Sequence, residues 1–289
     1  MPAEPLAKLQ KKIASSAETY TDPAERNVTI LKDTEAMALA AAFNCRLHDV
    51  YTAALKQGVW PFRYVRNRDI CSLEEQLTLA DATVAVIGAG GLGGTVILLL
   101  ARMGIGHLKV VDCDEFDETN LNRQALSSCA NLGTAKVEAA SEAVAAINPG
   151  VEVTALRSTI DSQSAKKLLT GVDVVVDALD NAPDRLATQA AAKEIGIPFV
   201  HGALAGFDAQ LMTIYPEDQG LQRLYGEQTE KGDPQRPEVV LGVPAITPSV
   251  VASLQAMEVL KILLQRGEPL RNRLLHVDLE GGQFEVFTF

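Results

Sequence analysis

A strand that runs straight into glycine constrains this chain more than any other feature. Val84-Ala85-Val86-Ile87 is a continuous apolar run, and Gly88-Ala89-Gly90-Gly91-Leu92-Gly93 follows it directly and opens the helical pattern Leu92–Met103. An apolar run of this kind suits a strand covered on both faces, as in a parallel sheet. Missing β-carbons let the turn approach phosphate oxygens, and a helix N-terminus offers unpaired N–H groups and positive partial charge. Asp112 ends the next strand candidate, about twenty residues on, where a carboxylate can accept hydrogen bonds from ribose hydroxyls. These features imply a nucleotide and leave the reaction open, since nicotinamide and flavin oxidoreductases share the fingerprint.

The surrounding alternation predicts an α/β fold with a doubly wound, Rossmann-like and mostly parallel sheet. Strand candidates are Thr83–Ile87, Leu108–Asp112, Val151–Leu156, Val172–Asp177 and Pro198–Gly202, with helical patterns at Leu92–Met103, Thr134–Ile147, Ser162–Leu169 and Asp184–Ile195. After Ala203 the pattern changes to an antiparallel continuation. It comprises a strand at Gln210–Tyr215, a long loop at 217–247, a helix from Pro248 to Gln265 and a hairpin turned by Glu280-Gly281-Gly282. The expected division is an N-terminal, partly helical extension over 1–60 and one large domain over 61–289. Within the extension, residues up to about Asn27 read as a polar, irregular tail with a turn at Thr21-Asp22-Pro23. Residues 34–57 read as one amphipathic helix through Met37, Ala40, Leu47, Tyr51 and Leu55, interrupted in its pattern at Asn44. Trp60–Arg66 reads as an extended linker.

With 289 residues and 47% hydrophobic content, the chain can bury a full core. A net charge of −11 argues against nucleic acid as the main partner, because neutralising phosphates needs a basic face. No apolar run is expected to reach the roughly 18 residues that cross a bilayer, and the polar start lacks a signal-peptide core, so a cytoplasmic protein is expected. Cys45, Cys71, Cys113 and Cys129 show neither CxxC nor Cys/His ligand spacing.

What separates the nucleotide readings lies beyond Asp112. Asp112-Cys113-Asp114 leads into Asn120-Leu121-Asn122-Arg123-Gln124, then Gly133-Thr134-Ala135-Lys136, and later Asp177-Ala178-Leu179-Asp180-Asn181. Hydride transfer has no use for two cations and a carboxylate aimed at phosphates. Attack of a carboxylate on the α-phosphorus of ATP does, because charge builds on the equatorial oxygens and on leaving pyrophosphate.

The order GxGGxG, DxD, NLxRQ, GxxK and DN, preceded by Arg63-Tyr64-Val65-Arg66 and followed by Ser253-Leu254-Gln255-Ala256-Met257-Glu258, resembles the ThiF/MoeB/HesA family of ubiquitin-activating-type adenylyltransferases. The resemblance covers about residues 63–289. It implies that Gly88, Gly90, Gly91 and Gly93 cradle ATP and that Asp112 of the Asp112/Asp114 pair binds its ribose. It further implies that Asn120, Arg123, Gln124 and Lys136 hold the phosphates, with Arg123 and Lys136 countering the transition-state charge. Asp180 matches the family's magnesium ligand, and Asn181 stands beside it to orient the adenine or the backbone. Arg66 matches an arginine that crosses into the neighbouring subunit's ATP site, which implies a homodimer. The implied partner is a small ubiquitin-like sulfur-carrier protein ending in Gly-Gly. The alternative substrate is a small-molecule, peptide or tRNA-base carboxylate.

The chain departs from the family in one respect. Many members carry two zinc-binding CxxC pairs and a loop cysteine that takes over the acyl group. Here Glu217–Gly226, the loop Glu227–Val243 and the C-terminus contain no cysteine. Neither zinc nor an enzyme thioester is therefore expected, and the four cysteines read as inert. The four histidines fit no catalytic pattern, with His201 reading as ordinary packing or as a wall of the acyl pocket.

Overall fold

The computed structural model describes residues 3–226 and 237–289. In chain order it begins with α1 (Ala3–Ser16), β1 (Glu18–Thr21), β2 (Asn27–Leu31), α2 (Asp33–Phe43), α3 (Leu47–Leu55), β3 (Trp60–Pro61) and α4 (Leu73–Asp81). The nucleotide half follows as β4 (Thr83–Ile87), α5 (Gly91–Met103), β5 (His107–Val111), α6 (Lys136–Ile147), β6 (Glu152–Leu156), α7 (Ala165–Leu168), β7 (Val174–Asp177), α8 (Ala182–Ile195) and β8 (Phe199–Ala205). The last part is β9 (Asp208–Ile214), α9 (Gln222–Tyr225), α10 (Pro237–Leu241), α11 (Ile246–Leu264), β10 (Arg273–Asp278) and β11 (Gln283–Thr288).

The main sheet has eight strands in the order β11-β10-β9-β8-β7-β4-β5-β6. From β6 to β8 neighbouring strands run parallel, and from β8 to β11 they run antiparallel, which is the mixed sheet expected from the sequence. The chain leaves β4 toward β5 and β6, then returns to β4's other side as β7. The crevice beyond the carboxyl ends of β4 and β7 is therefore the topological switch point, where open α/β sheets hold their ligands. Val84, Val86, Val174 and Val176 are fully buried in the larger core cluster, with Val96, Ile97 and Leu100 of α5 packed on them.

The helix Ile246–Leu264 corrects the expectation that no apolar run is long enough to span a membrane, since by length and composition it qualifies. It is nevertheless a core helix of this fold. Val251, Ala252 and Val259 pack into the sheet's core, and the buried Glu258 carboxylate accepts hydrogen bonds from Thr213 Oγ1 at 2.6 Å and Leu270 N at 2.7 Å.

The N-terminal readings need three corrections. Residues 3–16 form a helix rather than an irregular tail, because Leu9 and Ile13 stand one turn apart and bury completely against Ile30, Leu31 and Val50. The turn at Thr21-Asp22-Pro23 is present as the tip of the β1–β2 hairpin, where Asp22 Oδ1 accepts from Ala24 N at 2.9 Å and Arg26 N at 2.8 Å. The single helix over 34–57 is two helices, parted at Asn44, whose φ of 47° puts it in the left-handed region that ends a helix. Ala36 and Leu39 face its core while Met37 is exposed. The linker Trp60–Arg66 is in fact anchored, since Trp60 and Pro61 pair in parallel with Ile30 and Leu31, and Trp60, Tyr64 and Val65 are buried. Helix α4 was not anticipated, although Ser72 and Glu75 form a capping box at its start.

The loop 217–247 contains α9 and α10, and its residues 227–236, including much of the Glu227–Val243 stretch, lie outside the described residues.

Candidate active site

The glycines of the β4–α5 turn divide into two kinds. Gly88 has a φ of 95°, and a β-carbon there would lie 2.5 Å from Ala178 O. One on Gly93 would lie 1.8 Å from Gly88 O. Both are demanded by the close approach of turn, helix and the β7 end. Gly90 and Gly91 are different, because β-carbons there would meet only the Gln124 side chain, from 3.7 Å, and Arg123 and Pro248 atoms, from 3.5 Å. Packing does not require glycine at these two positions, and their bare backbone faces a space that Arg123 and Gln124 border. The N-cap position of α5 is Gly90 and carries no side-chain cap, so the first-turn N–H groups are left for another acceptor.

Asp112 clamps this turn to the following loop. Its Oδ2 accepts from Ala89 N at 2.7 Å and its Oδ1 from Asp114 N at 2.8 Å. Burial pushes its carboxyl up, outweighing these bonds and the nearby Lys136 charge. Asp114 goes the other way. Burial raises it, but its hydrogen bond and attraction to Lys136 hold it below the ordinary carboxylate range. Lys136 opens α6 with its side chain 8% exposed and reaches Asp114 Oδ2 at 2.9 Å. Asp112, Cys113 and Asp114 place ligand-type atoms within 4.8 Å of one another, yet both oxygens of Asp112 and both of Asp114 already hold hydrogen bonds from the protein.

Between these elements, Asn120 is buried and shapes its own turn, accepting from Asp117 N at 3.1 Å. Arg123 is half-buried and donates through Nη1 to Thr119 O at 3.0 Å and Asn122 Oδ1 at 2.8 Å. Gln124 is 7% exposed, and among the described residues its Oε1 is buried without a hydrogen-bond partner. A buried orphan acceptor beside a bare backbone is what a missing polar ligand leaves behind.

Asp180 follows β7, in the same loop as Ala178, whose O is the atom that Gly88 must avoid. It is exposed, and its Oδ1 accepts from Asn181 Nδ2 at 3.2 Å. Asn181 serves as the N-cap of α8, accepting from Asp184 N at 3.0 Å, a role that occupies the side chain expected to orient the nucleotide. Arg66 is not with this group. It is exposed, lines a surface cavity of about 240 Å³ with Tyr20, Asp22, Arg26, Arg68 and Asp69, and among the described residues makes no hydrogen bond or ion pair. Arg63, the other arginine of the RYxR pattern, is structural, donating to Ile147 O at 2.9 Å and pairing with Asp33.

Sequence reasoning missed one cluster altogether. His201 is fully buried, with Nδ1 at 2.7 Å from Asp177 Oδ2 and Nε2 at 3.3 Å from the Tyr225 hydroxyl. Burial pushes its pKa down more than Asp177 pulls it up, which keeps the ring neutral. It is thus a hydrogen-bonded core residue, as one of the two sequence readings had it.

The site accepts the groups the sequence implied. Gly90 and Gly91 leave open backbone, Gln124 Oε1 lacks a donor among the described residues and could take one from a nucleotide hydroxyl or amine, Arg123 and Lys136 carry positive charge, and Asp180 offers the kind of hard oxygen that suits Mg2+.

Known proteins resemble this chain over most of its length. The SAMP-activating enzyme E1 of Haloferax volcanii is 37% identical over 230 residues, covering 78% of this chain and 84% of that protein. The sulfur carrier protein adenylyltransferase of Thermus thermophilus is 36% identical over 225 residues, covering 74% and 81% respectively. The adenylyltransferase and sulfurtransferase MOCS3 of Arabidopsis thaliana is 33% identical over 263 residues, and although 89% of this chain is covered, it spans only 56% of that longer protein. Among solved structures, E. coli MccB with MccA-N7isoASN superposes at a TM-score of 0.67 with 21% identity, covering 98% of this chain and 87% of that one, which speaks to the fold. The ThiF family profile matches residues 64–289, from Tyr64 of the RYxR pattern to the last strand, and the chain belongs to the ThiF family.

Proposed function

We propose that this chain uses ATP to adenylate the C-terminal carboxylate of a small ubiquitin-like sulfur-carrier protein ending in Gly-Gly. It is an adenylyltransferase. The observation that carries this reading is a glycine turn whose Gly90 and Gly91 no packing constraint explains, bordered by Arg123 and tied through Asp112 and Asp114 to Lys136.

The chemistry follows from these groups. A carrier carboxylate oxygen attacks the α-phosphorus, the bond from that phosphorus to the bridging oxygen breaks, and pyrophosphate leaves with the electron pair. Gly90 and Gly91 N–H groups and the α5 N-terminus hold phosphate oxygens. Asp112 keeps spare lone pairs for a ribose hydroxyl after its two backbone bonds. Lys136 donates one of its three N–H bonds to Asp114 and directs the others at phosphate, while Arg123 swings from Thr119 O to the leaving group. Mg2+ would be held by Asp180 and supply further charge neutralisation on the phosphates. An external sulfur donor then displaces AMP, with no acyl transfer to the enzyme. The work is cytoplasmic, and the enzyme acts as a homodimer with Arg66 completing the partner's site.

ATP–pyrophosphate exchange tests the reading. Exchange that depends on a carrier ending in Gly-Gly supports it, and exchange driven only by a small molecule, peptide or modified tRNA base replaces the carrier with that substrate. The shared site gives a further expectation. Arg66→Ala and Asp180→Ala dimers are each inactive, but mixing them under subunit exchange restores about a quarter of wild-type activity, because each mixed dimer regains one intact site. No recovery removes Arg66 from the partner's site, and an active Arg66→Ala protein removes it from catalysis. Replacing all four cysteines with serine leaves exchange within about twofold of wild type, since no thiol enters the step. A folded but inactive variant contradicts this.

A further inference from the structure

The buried cluster around His201 forms a chain of hydrogen bonds whose two ends grip the backbone of one residue, Leu179, at its N–H and at its carbonyl. Asp177 Oδ1 accepts from Leu179 N at 3.0 Å, and Asp177 Oδ2 accepts from His201 Nδ1 at 2.7 Å. His201 Nε2 accepts from the Tyr225 hydroxyl at 3.3 Å, and the Tyr225 oxygen accepts from Arg185 Nη1 at 2.7 Å. Arg185 closes the circuit by donating through Nε to Leu179 O at 3.2 Å, with Nη2 on the same oxygen. Every donor faces an acceptor when His201 is the neutral Nδ1–H tautomer. The Asp177 and Arg185 charges balance inside the cluster.

What the circuit holds is the backbone of Leu179, the residue that leads into Asp180. Leu179 O belongs to the peptide that enters Asp180, and Arg185 stands on α8, whose N-cap Asn181 leaves Asp180 on the other side. Four elements contribute, β7, β8, α8 and α9, and α9 adjoins the segment that links β9 to α11. A core histidine whose only task was packing would not need both ring nitrogens directed along a chain to this loop.

We propose that Asp177, His201, Tyr225 and Arg185 are positioning residues that lock the Leu179–Asp180 peptide so that the Asp180 carboxylate faces the metal-bound triphosphate. The proposal rests on the metal role given to Asp180 above. Tyr225 is the sensitive link. Its hydroxyl bonds both His201 and Arg185, and its ring packs against both, so displacement of α9 loosens the metal-bearing loop.

Calorimetric titration of ATP in the presence and absence of Mg2+, together with amide hydrogen exchange at Leu179 and Asp180, tests this on the whole chain. Tyr225→Phe keeps the ring packing and removes the hydroxyl. It is expected to weaken Mg2+-dependent ATP binding about tenfold, the change a lost hydrogen bond to a charged group produces, while metal-free ATP binding stays as in wild type. Exchange at Leu179 is expected to accelerate by a similar factor. His201→Asn retains a donor toward Asp177, loses the Tyr225 link and is expected to behave like Tyr225→Phe. Variants that match wild type in both readouts overturn the circuit's role and leave the adenylation reading standing. Wild-type protein that binds ATP equally with and without Mg2+ overturns the metal role of Asp180 and this proposal with it.

Discussion

Asp180→Ala lowers carrier-dependent ATP–pyrophosphate exchange by about a thousandfold, the scale seen when one preorganised charge-stabilising group is removed from a transition state. The chain still folds. Asp180 is exposed at the carboxyl end of β7, and the cap of α8 belongs to Asn181 and its bond from Asp184 N, which the substitution leaves in place. Surface replacements of this sort change stability by about half a kcal/mol or less. Asp180→Asn is informative beside it. It preserves the hydrogen bond from Asn181 Nδ2 but loses the negative charge that a divalent cation needs, so it falls nearly as far. Exchange rates and thermal melting of both variants check this, and near-normal turnover in a folded Asp180→Ala protein removes the residue from the reaction.

Alanine at Gly93 and alanine at Gly90 have opposite outcomes, although both residues stand in one six-residue turn. A Gly93 β-carbon would lie 1.8 Å from Gly88 O and 3.1 Å from Ala178 Cβ, contacts between rigid backbone segments that no side-chain rotation relieves. Gly93→Ala must part α5 from β4 or β7 at the centre of the sheet. Overpacking a tight core commonly costs 1–3 kcal/mol, and a backbone collision of this depth is expected to exceed about 4 kcal/mol. Gly90→Ala meets nothing closer than the Gln124 amide at 3.7 Å, so the folded protein keeps its melting temperature within a few degrees. Its methyl group instead occupies the approach to the turn and weakens ATP binding by at least about tenfold. Denaturant melts and ATP titrations of the two proteins separate the effects. A Gly90→Ala protein that binds ATP normally places the phosphates elsewhere.

Much of the site was legible in linear order because its chemistry sits at strand ends. Gly88–Gly93 follows β4, Asp112 follows β5 and Asp180 follows β7, so motif spacing alone assigned them to one edge of a parallel sheet. Local signals also existed for two elements that were missed. Leu9 and Ile13 in α1 lie one turn apart, and Ser72 with Glu75 caps α4, but polar neighbours such as Lys11 and Lys12 obscured the first and a short span the second.

The residue types at the switch point and the glycines of the turn at Gly88 and Gly93 were determined by the sequence, because each depends on spacing within one element or across one short loop. Pairing was decided by tertiary structure. Nothing in the order of residues joins His201 to Tyr225 or Lys136 to Asp114, since those bonds form only when segments distant in the chain are packed side by side and burial strips water from the groups between them.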